Sequence, residues 1–214
     1  MKTTTRNLFL TVAASTLVAC GGSPSLESRD VQVDETYVGG AVQNVLVLSL
    51  QEDSVHDSRV VIERGFVNQM RAAGIDATAG YAVFDSVDQL LQSPGTFEPV
   101  LAEQGIASVL FIEPIRLDTD YDPGEYAQRR SAYRALGWDS STSINLLANM
   151  ARESSAAKVV MNVGLWLPGS NNDLFNSTYD INAPGNYDID AARQYAAGFA
   201  DEVIVDLRKY GFVN

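Results

Sequence analysis

An α/β domain, in two or three layers around a mixed sheet of about five strands, is what this sequence predicts, and three observations predict it. Apolar runs of strand length alternate with amphipathic helical segments through residues 44–112. The same helix stop, a glycine followed by an apolar residue, recurs at Gly74-Ile75, Gly105-Ile106 and Gly211-Phe212. Two later apolar runs flank the turn cluster Pro168–Asp173 and read as a hairpin.

Asn44–Leu50 is a continuous β-branched and aliphatic run, the pattern of a strand covered on both faces. Asp57 or Ser58 is placed to cap the next helix, where Ile62, Phe66, Met70 and Ala73 fall on one face. Ala77–Phe84 reads as the second strand. A short helix over Ser86–Gln92 follows, capped by Asp85 or Ser86. Thr96 is placed to cap another helix running to Gln104, with Pro99 tolerated in its first turn. Ser108–Ile115 is the third strand, and Pro114 suggests an edge position or a bulge late in it. Glu125–Leu136 has helical character inside an insertion, 119–155. The hairpin strands are Lys158–Leu167 and Leu174–Ile181. Asp190 caps a closing helix with Tyr195, Phe199, Val203 and Leu207 on one stripe. The order is β-α-β-α-α-β, insertion, β-β-α. The first three strands are expected to be parallel and the last two to join the sheet antiparallel.

The first twenty residues read differently. Lys2 and Arg6 form a positive start, and Leu8–Val18 is an apolar stretch too short to span a bilayer. Leu17-Val18-Ala19-Cys20 then fits the bacterial lipobox and ends at the only cysteine in the chain. Residues 1–19 are thus expected to be a removed lipoprotein signal. Cys20 would carry a diacylglyceryl thioether and an N-acyl chain, a covalent lipid anchor of the kind that is stable when two or more chains are present. Residue two of the mature chain is Gly21 rather than Asp; the resemblance to bacterial lipoproteins carried by this lipobox implies, through their sorting rule, the outer membrane, on its periplasmic face. Residues 20–43 are Gly/Ser/Pro-rich at the start and polar throughout, ending in Gly39-Gly40. They are expected to be a flexible tether with a fully extended reach of roughly 70 Å, leaving 44–214 as the α/β domain.

Composition narrows the function. The chain has 15 basic and 27 acidic residues, a formal charge of −12. Losing Lys2 and Arg6 with the signal leaves 13 basic residues and a charge of −14. Such acidity argues against nucleic acid and against electrostatic docking on anionic lipid. One cysteine permits no disulfide within the chain, so the core must supply the stability. Roughly 170 residues suffice, since domains of that size bury about 70% of their unfolded surface.

Motifs for chemistry are sparse. The single histidine, His56, lies after the first strand, where α/β proteins bind ligands. It reads first as a solvated loop histidine, because no motif places a nucleophile or base beside it. Asp53, His56 and Asp57 have the types of metal ligands without an established ligand spacing. Asp118, Asp120 and Asp122 match the opening of a calcium-binding EF-hand loop. The match then fails: Gly124 comes one place late, Pro123 occupies the turn, and Arg129 stands where a bidentate Glu is due. No phosphate-binding glycine motif, nucleophile elbow or zinc-protease motif occurs. No catalytic residue, cofactor or firm metal site is assigned. The insertion groups Tyr121, Tyr126, Tyr133 and Trp138 with Arg129, Arg130 and Arg134. Tyr, Trp and Arg dominate binding hot spots, so Tyr121, Tyr126, Arg129, Arg130, Tyr133 and Trp138 form a candidate partner surface. The same aromatics also suit a satellite core under a long insertion.

The run Val45–Leu50, then Arg59, Glu63 and the Gly74-Ile75 stop, resembles the opening of small Gram-negative envelope lipoproteins. Gly105–Ile112 resembles their third strand, and the 158–181 hairpin with Trp166 resembles their strand pair. In layout the chain is similar to the amino-terminal domain of TolB, to CsgG and to lipoprotein activators of penicillin-binding proteins. The resemblance implies a non-enzymatic role: binding an envelope protein partner or assisting assembly. It carries over no site residue and no oligomeric state. The rival expectation is a small-molecule or metal-binding lipoprotein that uses the 51–57 and 118–125 loops.

Overall fold

The structure, a computed structural model, describes residues 26–51, 53, 56–117, 123–136, 138, 158–181 and 189–214. The expected signal segment and Cys20 lie outside the described residues. Six strands form one mixed sheet: β1 (Leu26–Val33), β2 (Val45–Ser49), β3 (Ala77–Ala79), β4 (Ser108–Leu117), β5 (Lys158–Trp166) and β6 (Asp173–Ile181). Their spatial order is β1-β6-β5-β4-β2-β3. β2 pairs parallel with β3 and β4, and the β4–β5, β5–β6 and β6–β1 pairs are antiparallel.

Helices cover both faces, so the domain has three layers. On one face lie α1 (His56–Ala72) and α5 (Ile189–Lys209). Ile62, Phe66 and Met70 of α1 share a core there with Phe199, Val203 and Leu207 of α5 and with Val45 and Val47 of β2. The helices approach closely at Gly65, where an added Cβ would fall 2.9 Å from the Cβ of Ala196. On the other face lie α2 (Val87–Gln92), α3 (Phe97–Glu103) and α4 (Pro123–Ala135). Val87, Phe97, Leu101 and Tyr133 pack there against Leu46, Leu48 and Phe111. Neighbouring β2 residues thus feed opposite cores, which is why that strand is apolar throughout.

The three glycine stops form as expected. Gly74, Gly105 and Gly211 adopt φ of 81°, 67° and 80°. The residues after them donate back to Met70, Leu101 and Leu207 at 2.9 Å each. These left-handed positions favour glycine because a Cβ strains them. Ser86 caps α2 by accepting from the Gln89 N–H at 2.9 Å.

Several expectations need correction; among them, Asp190 lies inside the closing helix rather than capping it, and Thr96 makes no side-chain cap to α3. Residues 26–33 were expected in the tether and instead form β1, paired along β6. Their polar sequence suits an edge strand; among the side chains described in it, Val31 and Val33 pack on the core. The second strand stops at Ala79, five residues early, and a 3₁₀ turn over Gly80–Ala82 follows. Asp57 and Ser58 lie inside the first turn of α1 rather than capping it. Pro114 sits in an interior strand, but harmlessly. The Ile112 carbonyl points to β2, where it accepts from the Leu50 N–H at 2.7 Å. Two residues on, the proline nitrogen points the same way, past the last β2–β4 pair, Ser49–Ile112. No ladder donor is lost.

Candidate functional site

The chain leaves β2 through α1 on one face and reaches β4 from β3 through α2 and α3 on the other. The carboxyl ends of β2 and β4 therefore form a topological switch point, where open α/β sheets bind ligands. A crevice of about 210 Å³ lies there. Leu50 and Gln51 extend β2 into it, Val87, Asp88 and Leu91 of α2 form one wall, and Arg129 and Tyr133 of α4 form another.

Its polar groups are held in place. The Gln51 side chain is buried and its Nε2 donates to Ser49 Oγ at 2.9 Å. Asp88 Oδ2 accepts from the Asp53 N–H at 3.4 Å. Burial pushes the Tyr133 phenol well above its ordinary range, and the Glu113 carboxylate adds to this; Arg129, through charge and a hydrogen bond, pulls the other way. Among the described residues the crevice lining supplies an amide, a phenol, a carboxylate and a guanidinium.

Beneath the crevice a buried ion pair fixes the switch point. Arg59 and Glu63, one helical turn apart on α1, meet at 2.9 Å with both side chains 0% exposed. Glu63 Oε1 also accepts from the Ser49 N–H at 3.0 Å, and Oε2 from the Tyr81 N–H at 2.6 Å. Arg59 donates onward to the Phe84 carbonyl at 2.8 Å and the Asp85 carbonyl at 3.4 Å. One network thus ties β2, α1, the 3₁₀ turn and the entry to α2. It also ends the second strand early, because Tyr81 gives its N–H to Glu63. Gly80 is needed beside it: a Cβ would fall 2.8 Å from Leu48 Cδ1 and 2.9 Å from the Val47 carbonyl oxygen. Burial raises the Glu63 carboxyl above its usual value, while Arg59 and the N–H donors of Ser49 and Tyr81 oppose that rise.

The structure separates the metal candidates. Asp53 turns to α2, where its carboxylate accepts from the Ser86 hydroxyl and from the Val87 N–H at 2.9 Å. Burial pushes this carboxyl up, but those bonds, Asp88's N–H and the Arg59 charge outweigh it and leave the group below its ordinary value. His56 and Asp57 are exposed on the first turn of α1. Among the described residues, no three His, Cys, Asp or Glu side chains converge as a metal site. The second half of the expected calcium loop is helical. A twelve-residue loop from Asp118 would run through Arg129, yet Pro123 opens helix α4, a position that proline suits. Asp118, Asp120 and Asp122 lie outside the described residues.

The candidate partner surface divides. Tyr133 and Trp138 are 2% and 0% exposed and belong to the core, a correction to the expectation that they face a partner. Trp138 stacks on Phe111 with ring centroids 5.0 Å apart and presses on Gly164, where a Cβ would fall 2.2 Å from its Nε1. A glycine inside a strand signals such close approach, so Gly164 was the sequence clue to a buried Trp138. Arg129 is half-buried at the crevice wall. Tyr126 and Arg130 lie on α4, and Tyr121 is outside the described residues. Sequence reasoning also missed a row of polar residues, Glu113, Asn162 and Thr178, in register across β4, β5 and β6 and all buried. Each of the three is partnered.

No family model matches the chain, and no curated protein matches it. Among solved structures the chain is similar to the PelC dodecamer from Paraburkholderia phytofirmans. The likeness covers 82% of this chain and 94% of that one at 12% identity, with a TM-score of 0.36. A PelC variant in another crystal form gives the same coverage at 11% identity and a TM-score of 0.37. At these scores no functional argument rests on the likeness.

Proposed function

We propose that this chain is an outer-membrane lipoprotein, anchored through acyl groups on Cys20, that acts without catalysis by binding a protein partner in the cell envelope. The observation that carries this reading is the lipobox, Leu17-Val18-Ala19-Cys20, behind a positive start and a short apolar stretch. The resemblance to envelope lipoproteins supports it. So does the crevice, whose described lining sets polar recognition groups beside apolar side chains. The crevice, at about 210 Å³, is smaller than the roughly 300–1,000 Å³ of drug-sized ligand pockets, which favours a partner side chain there over a drug-sized ligand.

Fractionation of cells carrying the native chain or Cys20→Ser tests the anchor. The native protein is expected in the outer-membrane fraction and the variant in the soluble periplasmic fraction. A Cys20→Ser protein that stays with the membrane contradicts the anchor. For the partner, a photo-crosslinking residue at Leu91 is expected to give one discrete protein adduct in intact cells. Adducts formed only from surface positions remote from Leu91 would move recognition away from the crevice.

A further inference from the structure

The end of the sheet nearest the anchor is fixed by strand register. Leu26 pairs with Ile181, Ile181 with Val159, and Val159 with Arg116. The first residue of β1 is therefore level with the carboxyl end of β4. β2 runs parallel to β4 and also ends on this side, at the Ser49–Ile112 pair. The crevice, the start of α1 and the start of α4 all lie at this same end. The opposite end carries Ser108, the 167–172 turn of the β5–β6 hairpin and the Gly105 and Gly74 stops.

We propose that the Leu26–Ile181–Val159 end of the domain lies against the lipid surface, so that the crevice opens toward the membrane. This rests on the reading of Cys20 as the lipid anchor. Because β1 begins at Leu26, six residue steps separate the acylated cysteine from the sheet. Fully extended they reach only about 20 Å, against the roughly 70 Å of the tether expected from sequence. The ten residues of β4 span about 30 Å. An inverted domain would hold Leu26 at least that far above the bilayer, beyond the reach of the chain. Charge does not supply the orientation, since the mature chain is strongly acidic. Short covalent attachment at one end supplies it. A partner that enters the crevice must then meet it at the membrane surface.

The test uses the full acylated chain in vesicles of phosphatidylethanolamine and phosphatidylglycerol that contain a nitroxide-headgroup lipid. A fluorophore is attached at Asp57→Cys, exposed on the first turn of α1, or at Asn171→Cys, exposed in the hairpin turn at the far end. The label at 57 is expected to be quenched about twofold or more relative to that at 171, given their separation of about 30 Å along the sheet. Equal quenching, or stronger quenching at 171, overturns the orientation. The intact mass of the same samples keeps the two readings apart. An acylated Cys20 with the wrong quenching pattern sinks the orientation alone, and an unacylated chain sinks the anchor and the orientation with it. Inserting a flexible Gly/Ser segment of about twenty residues between Cys20 and Leu26 is expected to abolish the difference. A difference that survives the insertion shows that the short chain does not orient the domain, and also overturns the proposal.

Discussion

Glu63→Gln removes one negative charge from the switch point with almost no change of shape. The carboxylate faces three donors: Ser49 N–H and Arg59 Nε on one oxygen, and Tyr81 N–H on the other. A glutamine has a single acceptor oxygen. If that oxygen faces Ser49 and Arg59, the amide NH₂ opposes the Tyr81 N–H. If it is turned round, the NH₂ opposes two donors. In either case the guanidinium of Arg59, fully buried, loses its counter-charge. Breaking one side of a buried pair costs about 3–5 kcal/mol. With a urea m-value of about 2 kcal/mol/M, the unfolding midpoint should fall by about 1.5–2.5 M. The melting temperature of a domain this size should fall by about 6–20 °C. Urea unfolding followed by circular dichroism measures this directly. Arg59→Met combined with Glu63→Gln removes the stranded charge as well. The double variant should be more stable than the two single losses summed, by about 1–3 kcal/mol. A Glu63→Gln midpoint within about 0.5 kcal/mol of native, at unchanged slope, would refute a buried, dry pair that staples β2 to the 3₁₀ turn.

Three further expectations follow from the packing and the caps. Gly164→Ala drives a methyl into Trp138 and should destabilise by about 1–3 kcal/mol, Trp138→Ala should cost about 3–5 kcal/mol, and the double variant should cost less than their sum. Denaturation curves near native for Trp138→Ala would return that residue to the surface. Asp53 is held below its ordinary value of 3.8, so its ionised form contributes stability that is full above that pH and is lost as pH falls through the lower folded-state value. Native protein should therefore lose stability below pH 3.8 more steeply than Asp53→Asn, and parallel acid-unfolding curves would remove Asp53 from the α2 cap. Finally, a protease nick between 34 and 41 should leave the β1 fragment bound to the body on gel filtration and release it only in urea, whereas release in native buffer would show that β1 contributes nothing to the sheet.

Much of this fold is legible in the sequence, for identifiable reasons. β2 is readable because both its faces are buried, which leaves an uninterrupted apolar run. The helix ends are readable because a left-handed residue before an apolar one demands glycine, and Gly74, Gly105 and Gly211 supply it. What escapes is decided by contacts distant in sequence. β1 carries no apolar run, since an edge strand can hold to the sheet with a few core contacts such as those of Val31 and Val33. The second strand is cut short by Glu63, eighteen residues upstream of the Tyr81 N–H it captures. Arg59 and Glu63 show the spacing of a helical ion pair, but on an exposed helix face the same spacing is common and weak. Only the placement of α1 over the ends of β2 and β3 buries them. Tyr133 and Trp138 sit among arginines and small residues that suit a surface. Trp138 fills the gap left over Gly164 and Tyr133 packs on Trp138, and a sequence shows that glycine without showing what fills the space above it.

The anchor on which the functional reading depends can be measured in one spectrum, the intact mass of the mature chain isolated from membranes. The expected species begins at Cys20, lacks residues 1–19, and carries the diacylglyceryl group and one N-linked acyl chain. A mature chain that begins elsewhere, or a Cys20 with a free thiol, would contradict the lipid anchor and with it the orientation of the crevice toward the membrane.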